Sequence, residues 1–188
     1  MAERERRRAS AVQNAVFQTK SQVMTADDVA RAIHRMAHEI CERNSGCENV
    51  IIIGLQTGGV GLAERLAASI GAIEGSTVNL GSLDATMHRD DFDLRPISSE
   101  AATHIPVDPT NKIIVLVDDV LYTGRTVRAG LEAIHSYGRP EAIQLAVMVD
   151  RGHRELPIRP DFVGKNLPTR HSEMVDVRSD GVFLGELL

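Results

Sequence analysis

Two short apolar runs constrain this chain most: residues 50–53 (Val-Ile-Ile-Ile) and residues 113–117 (Ile-Ile-Val-Leu-Val). Each leads into a polar, glycine-containing turn and then into a stretch of helical periodicity. Runs this short, β-branched and without polar alternation, suit strands buried on both faces. A third candidate covers residues 143–149, and the helical stretches cover residues 60–70 and about 126–137, the second stopped by Gly138 and Pro140. Strands alternating with helices imply right-handed crossovers and a parallel sheet covered on both sides, so the predicted class is α/β. An earlier helix starts after Thr25, a capping residue, with Asp27 and Asp28 at its positive end. Val29, Ile33, Met36, Ala37 and Ile40 mark its apolar stripe. The middle, residues 75–109, carries Asp90, Asp91, Asp93, Pro96, Pro106 and Pro109, and reads as weak strand pieces around a long mobile loop.

A length of 188 residues suits one domain. Residues 1–22 are expected to be a flexible extension and residues 23–188 a single domain. No apolar run approaches the ~20 residues of a membrane span. The net charge of -5 excludes a protein that is basic all over, so nucleic acid would need a local patch. Aromatics are 3% with no Trp, so base stacking is not the main recognition device. Arg4, Arg6, Arg7 and Arg8 offer a nucleic-acid arm or, more plainly, a solvated terminus. No apolar segment of a secretory leader follows them, which gives a cytoplasmic reading. Cys41 and Cys47 lack the paired spacing and histidine neighbours of a zinc motif, and a reducing cytoplasm argues against a disulfide, so neither receives a function.

The segment with the most chemistry is residues 114–126, Ile-Val-Leu-Val-Asp-Asp-Val-Leu-Tyr-Thr-Gly-Arg-Thr. Asp118 and Asp119 follow a buried strand, in the place where carboxylates can accept hydrogen bonds from sugar hydroxyls. Leu121, Tyr122, Thr123, Gly124, Arg125 and Thr126 then form a short loop into a helix start, whose backbone N–H groups and threonine hydroxyls suit a phosphate. An isolated Asp-Asp and a lone Thr-Gly cap would mean little, whereas the whole pattern describes a ribose 5-phosphate site. A second anion site is offered by the turn after residues 50–53, which contains Thr57, Gly58 and Gly59. It has neither the Gly-Lys-Ser/Thr of a Walker A loop nor the dinucleotide glycine spacing.

Residues 114–126 resemble the PRPP-binding signature of type I phosphoribosyltransferases, PRPP being 5-phosphoribosyl diphosphate. With residues 118–130, 144–147 and 149–159, the chain is similar more narrowly to the PyrR family, over about residues 24–169. That family comprises bifunctional pyr-operon RNA-binding attenuation proteins that are also uracil phosphoribosyltransferases. The resemblance implies a type I phosphoribosyltransferase fold: a mostly parallel central sheet, helices on both faces and a small hood. It implies transfer of phosphoribosyl from PRPP to uracil, giving UMP and diphosphate, with Mg²⁺ held mainly through PRPP and water. Catalysis would fall to Asp118, Asp119 and Arg89 of the mobile loop. PRPP or UMP would be bound by Thr57, Gly58 and residues 121–126, and uracil by Val149, Asp150 and Arg151. The family often carries a basic residue where this chain has Gly58, which leaves the diphosphate contact there to backbone N–H groups.

On the first helix, Arg31, His34, Arg35 and His38 share a face opposite the apolar stripe, with Arg43 beyond. By spacing alone the plainer reading is a solvated basic face. The resemblance makes it an RNA-binding face for the pyr mRNA leader, extended by Lys165 and Arg170, with UMP or UTP favouring the RNA-binding form. It also implies a homodimer or larger assembly. Three alternatives stand beside this reading. One is a pure nucleotide-sensing RNA regulator with little catalysis. Another is a purine or orotate phosphoribosyltransferase, which gives no reason for the match over residues 150–159. The last, a phosphoacceptor receiver domain, would carry its acid pair after the first strand rather than deep in the chain.

Overall fold

The apolar runs form the centre of a five-stranded sheet. A computed structural model describes residues 16–88 and 102–188. In chain order it contains β1 (Phe17–Thr25), α1 (Ala26–Arg43), β2 (Val50–Leu55), α2 (Gly58–Glu74), β3 (Asn79–Leu83) and a 3₁₀ turn (Thr86–His88). There follow β4 (Ile113–Leu121), α3 (Arg125–Ile134), β5 (Ala142–Asp150), β6 (Phe162–Asn166), β7 (Met174–Arg178) and β8 (Gly181–Leu187). The large sheet has the order β3-β2-β4-β5-β6 and all of its pairs are parallel. A smaller antiparallel sheet has the order β1-β8-β7.

Because side chains alternate along a strand, each central strand feeds two cores. Val50 and Ile52 of β2, with Val115 and Val117 of β4 and Ala146 and Met148 of β5, pack with the apolar faces of α1 and α2. Ile51, Ile53 and Leu55, with Ile114, Leu116, Leu145 and Val147, pack on the other side with Val127, Ala129 and Ala133 of α3. Both faces are covered, so the strands carry no polar alternation.

Several boundaries differ from those expected. β2 continues through Gly54 to Leu55, and β4 continues through the acid pair to Leu121. The reason is pairing with longer neighbours: Asp118 sits opposite Val147 and Val120 opposite Val149 in the β4–β5 ladder. The acid pair is therefore part of a strand end rather than of a loose loop. α3 stops at Ile134 rather than near Tyr137. β1 begins at Phe17, so residues 17–22, set apart as a flexible extension, are paired with β8 in the small sheet. Of the mixed middle, β3 pairs with β2, and Ser82 bridges to His104. Arg4, Arg6, Arg7 and Arg8, and also Arg89 to Asp93 and Pro96, lie outside the described residues.

The start of α1 is fixed locally by a capping box. Thr25 Oγ1 accepts from the Asp28 N–H at 3.2 Å, and Asp28 Oδ2 accepts from the Thr25 N–H at 2.9 Å. The Thr25 backbone N–H, then its hydroxyl and the Arg31 guanidinium, hold the Asp28 carboxyl down at about 2.

Candidate functional site

Parallel sheets present their ligands beyond the carboxyl ends of the strands, at the point where the strand order reverses direction. Here that point lies between β2 and β4, because the chain moves from β2 outward to β3 and then returns to β4, β5 and β6. The two motifs singled out in the sequence meet at this point. The turn after β2 passes so close to the top of β4 that side chains are excluded from it. A Cβ on Gly59 would collide with the Val117 carbonyl oxygen, and one on Gly58 with the Asp119 carboxylate. At Gly59 the obstacle is backbone, so glycine alone fits; at Gly58 it is the end of the Asp119 side chain, which a larger residue would displace. The Gln56–Thr57 peptide bond in the turn is cis. Gly58 and Gly59 thus let the turn after β2 and the acid pair lie together.

The acid pair is held from its own strand. Asp118 is buried, and its Oδ1 accepts from the Asp119 N–H at 3.0 Å. Asp119 Oδ1 accepts from the Val120 N–H at 2.7 Å. The two helices that begin beside them differ from α1. Neither Thr57 before α2 nor Gly124 before α3 closes its helix with a side-chain hydrogen bond. Gly124 has φ 92°, the left-handed turn that lets the chain swing from Thr123 into α3. Helix starts of this kind, at strand ends, suit an anion.

The loop from Leu121 to Thr126 is braced by the segment after β5. The Thr123 carbonyl accepts from the N–H groups of Glu155 and Leu156 at 3.0 and 3.2 Å. Arg125 Nε pairs with Glu155 at 2.7 Å. Arg154 binds the Asp150 carboxylate and also donates to the carbonyls of Tyr122 at 2.8 Å and Ile158 at 2.9 Å. Arg154 is a site-building residue that no motif in the sequence singles out. Its signal was present as an Asp-x-x-x-Arg spacing across a turn, which is common enough to be uninformative without the fold.

The segment expected to meet a base shows a division of labour. Val149 and Asp150 are laddered to both β4 and β6. The Arg151 N–H donates to the Leu121 carbonyl at 3.1 Å. The Arg151 side chain is buried, and its guanidinium donates to Thr169 Oγ1 at 3.0 Å and to the Glu173 carbonyl at 2.6 Å. It also lies 4.1 Å from the centre of the Tyr122 ring. Burial pulls this guanidinium below its ordinary value. Arg151 therefore joins the 121–126 loop to residues 169–173 through its side chain.

The basic residues of α1 divide into groups. Arg31 and Arg35 line one groove of about 380 Å³ with Lys165 of β6. Arg31 pairs with Asp28 at 2.6 Å. Arg35 pairs with Glu39 at 2.7 Å and donates to the carbonyls of Val163 and Gly164 at 2.8 and 2.9 Å. His34 and His38 are apart from this groove's lining, with their Nε2 atoms 3.2 Å from each other and His34 Nδ1 3.4 Å from Ser69. Arg43 sits at the helix end, paired with Asp161 at 2.9 Å and placed over Phe162.

No helix among the described residues is long and apolar enough to cross a membrane. Residues 20–178 match the family model described as phosphoribosyl transferase domain. A curated relative from Chloroflexus aurantiacus, named bifunctional protein PyrR, is 56% identical over 167 residues, covering 87% of this chain and 92% of that protein. A relative of the same name from Deinococcus deserti is 55% identical over 174 residues, covering 89% and 94%. Among solved structures, the hypoxanthine phosphoribosyltransferase of Trypanosoma cruzi has a TM-score of 0.68 at 15% identity, over 89% of this chain and 97% of that one. A hypoxanthine-guanine phosphoribosyltransferase from Bacillus anthracis has a TM-score of 0.66 at 17% identity, over 91% and 99%. The structural likeness gives the fold, and the sequence likeness gives the branch. This chain belongs to the phosphoribosyltransferase family, in the group of relatives named bifunctional protein PyrR.

Proposed function

We propose that the protein transfers the phosphoribosyl group of PRPP to uracil, giving UMP and diphosphate, and that it also binds pyr leader RNA in response to pyrimidine nucleotides. The observation that carries the reading is the junction at the strand-order reversal, where Gly58 and Gly59 lie directly against Val117 and Asp119. One pocket edge thereby offers sugar acceptors and two anion-binding helix starts.

In this reading Asp118 and Asp119 accept hydrogen bonds from the ribose 2′- and 3′-hydroxyls and offset positive charge at the anomeric carbon. Residues 121–126 cradle the 5-phosphate at the start of α3. The turn at Thr57 and Gly58 receives the diphosphate through backbone N–H groups. The bond from C1′ to the diphosphate oxygen breaks, the bond from C1′ to uracil N1 forms, and the N1 proton passes to solvent. Arg89, outside the described residues, is assigned to the leaving group on the family likeness alone. The oxygen donors of Asp118 and Asp119 suit a hard cation and its waters, so the site fits Mg²⁺. When bound, that ion neutralises charge on the diphosphate. Uracil is assigned to Val149, Asp150 and Arg151, because Arg151 places this segment against Tyr122 of the phosphate loop.

RNA is assigned to the groove of Arg31, Arg35 and Lys165, with Arg43, His34 and His38 beside it, and UMP or UTP favours the bound form. Two copies of the chain, as a homodimer or within a larger assembly, give RNA a longer surface than one groove. The cytoplasm supplies both PRPP and leader RNA. The test is incorporation of labelled uracil with PRPP and Mg²⁺, run beside hypoxanthine, guanine and orotate. Uracil alone should be turned over; preference for a purine overturns the base assignment.

A further inference from the structure

At the opposite rim of the sheet from these loops, three side chains of metal-ligating type converge. They are Cys41 in the last turn of α1, Cys47 in the connection to β2 and Glu74 at the end of α2. Their ligand atoms all lie within 4.8 Å of one another. The two sulfurs are 3.4 Å apart, and both thiols are free and buried. Glu74 is exposed, so the cluster opens to solvent on one side. The turn between the cysteines is wound back on α1: the Ser45 N–H donates to the Glu42 carbonyl at 3.2 Å and the Gly46 N–H to the Cys41 carbonyl at 3.0 Å. This winding places Cys47 over Cys41.

We propose that Cys41, Cys47 and Glu74 form a binding site for a thiophilic divalent cation of the Zn²⁺ type, with water as the fourth ligand. The donor set is right for such an ion, which takes thiolate and carboxylate ligands in a tetrahedron. Zn–S bonds of about 2.3 Å at tetrahedral angles put the sulfurs ~3.8 Å apart, so the observed pair needs to open by only a few tenths of an ångström. A disulfide at about 2.05 Å requires a much larger approach. Two buried thiols alone would pack as small hydrophobes. The carboxylate among them is what that explanation omits: without a cation it only disfavours thiolate, and with one it completes the ligand set. Burial first, and then the Cys47 and Glu74 contacts, push the Cys41 thiol up to about 12. Binding therefore releases two thiol protons to solvent as two Zn–S bonds form. The ion would join the carboxyl ends of α1 and α2, and α1 is the helix that carries Arg31 and Arg35.

The probe is Co²⁺ added to the full, reduced, metal-free chain, followed by absorption. One Co²⁺ per chain should give a thiolate-to-metal charge-transfer band with tetrahedral d–d bands, and Zn²⁺ should displace it. Cys41→Ser and Cys47→Ser should abolish the band. Glu74→Gln, at an exposed position and checked by circular dichroism, should weaken Co²⁺ binding at least about tenfold. Absence of the charge-transfer band overturns the site, and so does unchanged affinity in Glu74→Gln. Co²⁺ bound without thiolate character, as at the His34–His38 pair, overturns it as well. So does a 41–47 disulfide in the purified chain that admits no metal after reduction.

Discussion

The loops at the strand ends and the basic face of α1 are built in opposite ways. At the strand ends, the groups proposed to meet a ligand are braced through the backbone: Asp118 and Asp119 through their own strand, the 121–126 loop through Arg154 and residues 155–156. On α1, the arginines are held mainly by carboxylates, Arg31 by Asp28, Arg35 by Glu39 and Arg43 by Asp161, with Arg35 also donating to the carbonyls of Val163 and Gly164. The first arrangement is preorganised, so a small displacement there is costly. The second is half neutralised and exposed. An RNA phosphate must compete with those carboxylates, so each contact there is worth little and depends on salt. A site and a surface can therefore share one domain with very different sensitivity to substitution.

The largest effect expected comes from the acid pair. Asp118→Asn with Asp119→Asn should lower UMP synthesis by roughly 10³-fold or more, leaving the circular dichroism spectrum unchanged. Full activity in that variant breaks the site half of the contrast. Arg154→Ala removes one partner of a largely buried ion pair that also ties the carbonyls of Leu121, Tyr122, Gly152 and Ile158. It should cost about 3 kcal/mol in chemical denaturation. Gly58→Ala tests the close approach. Its Cβ displaces the Asp119 carboxylate, so turnover should fall about 10²-fold with little change in melting temperature.

The surface half predicts smaller numbers. Arg35→Ala with Arg43→Ala should lower the slope of log affinity against log salt for leader RNA by roughly 1.4, at 0.7 per single-strand phosphate contact. An untouched slope means the face is only solvated. Thr25→Ala should cost about 1 kcal/mol through the lost cap of α1. The partner Asp28 has a carboxyl depressed to about 2, so its contribution is complete above the ordinary carboxylate range. It should be lost as pH falls through about 2, read as fraying of α1.

How much of this was legible follows from what each segment buries. The central strands announced themselves because both faces are covered, giving unbroken apolar runs at residues 50–53 and 113–117. Strands β1, β7 and β8 did not, since β1 leaves most of its residues exposed and β7 buries none fully. The hood was expected from family resemblance and not from any pattern in those residues. The acid pair and the Thr-Gly turn were readable because the residues that form them are contiguous. Their junction with Gly58 was not, because residues 58 and 119 meet only through the β2–β4 pairing. Arg154 escaped for the same reason, as its partners at residues 121–122 are distant in sequence. The salt bridges that temper α1 lie partly on α1 itself, at Asp28 and Glu39, one turn from the arginines they hold.

The claim that both halves work together rests on reciprocal linkage. UMP binding to the full chain, measured by calorimetry with and without saturating pyr leader RNA, tests it most directly. The account predicts a lower Kd for UMP with RNA, by about fivefold or more. An identical Kd in both titrations would contradict it.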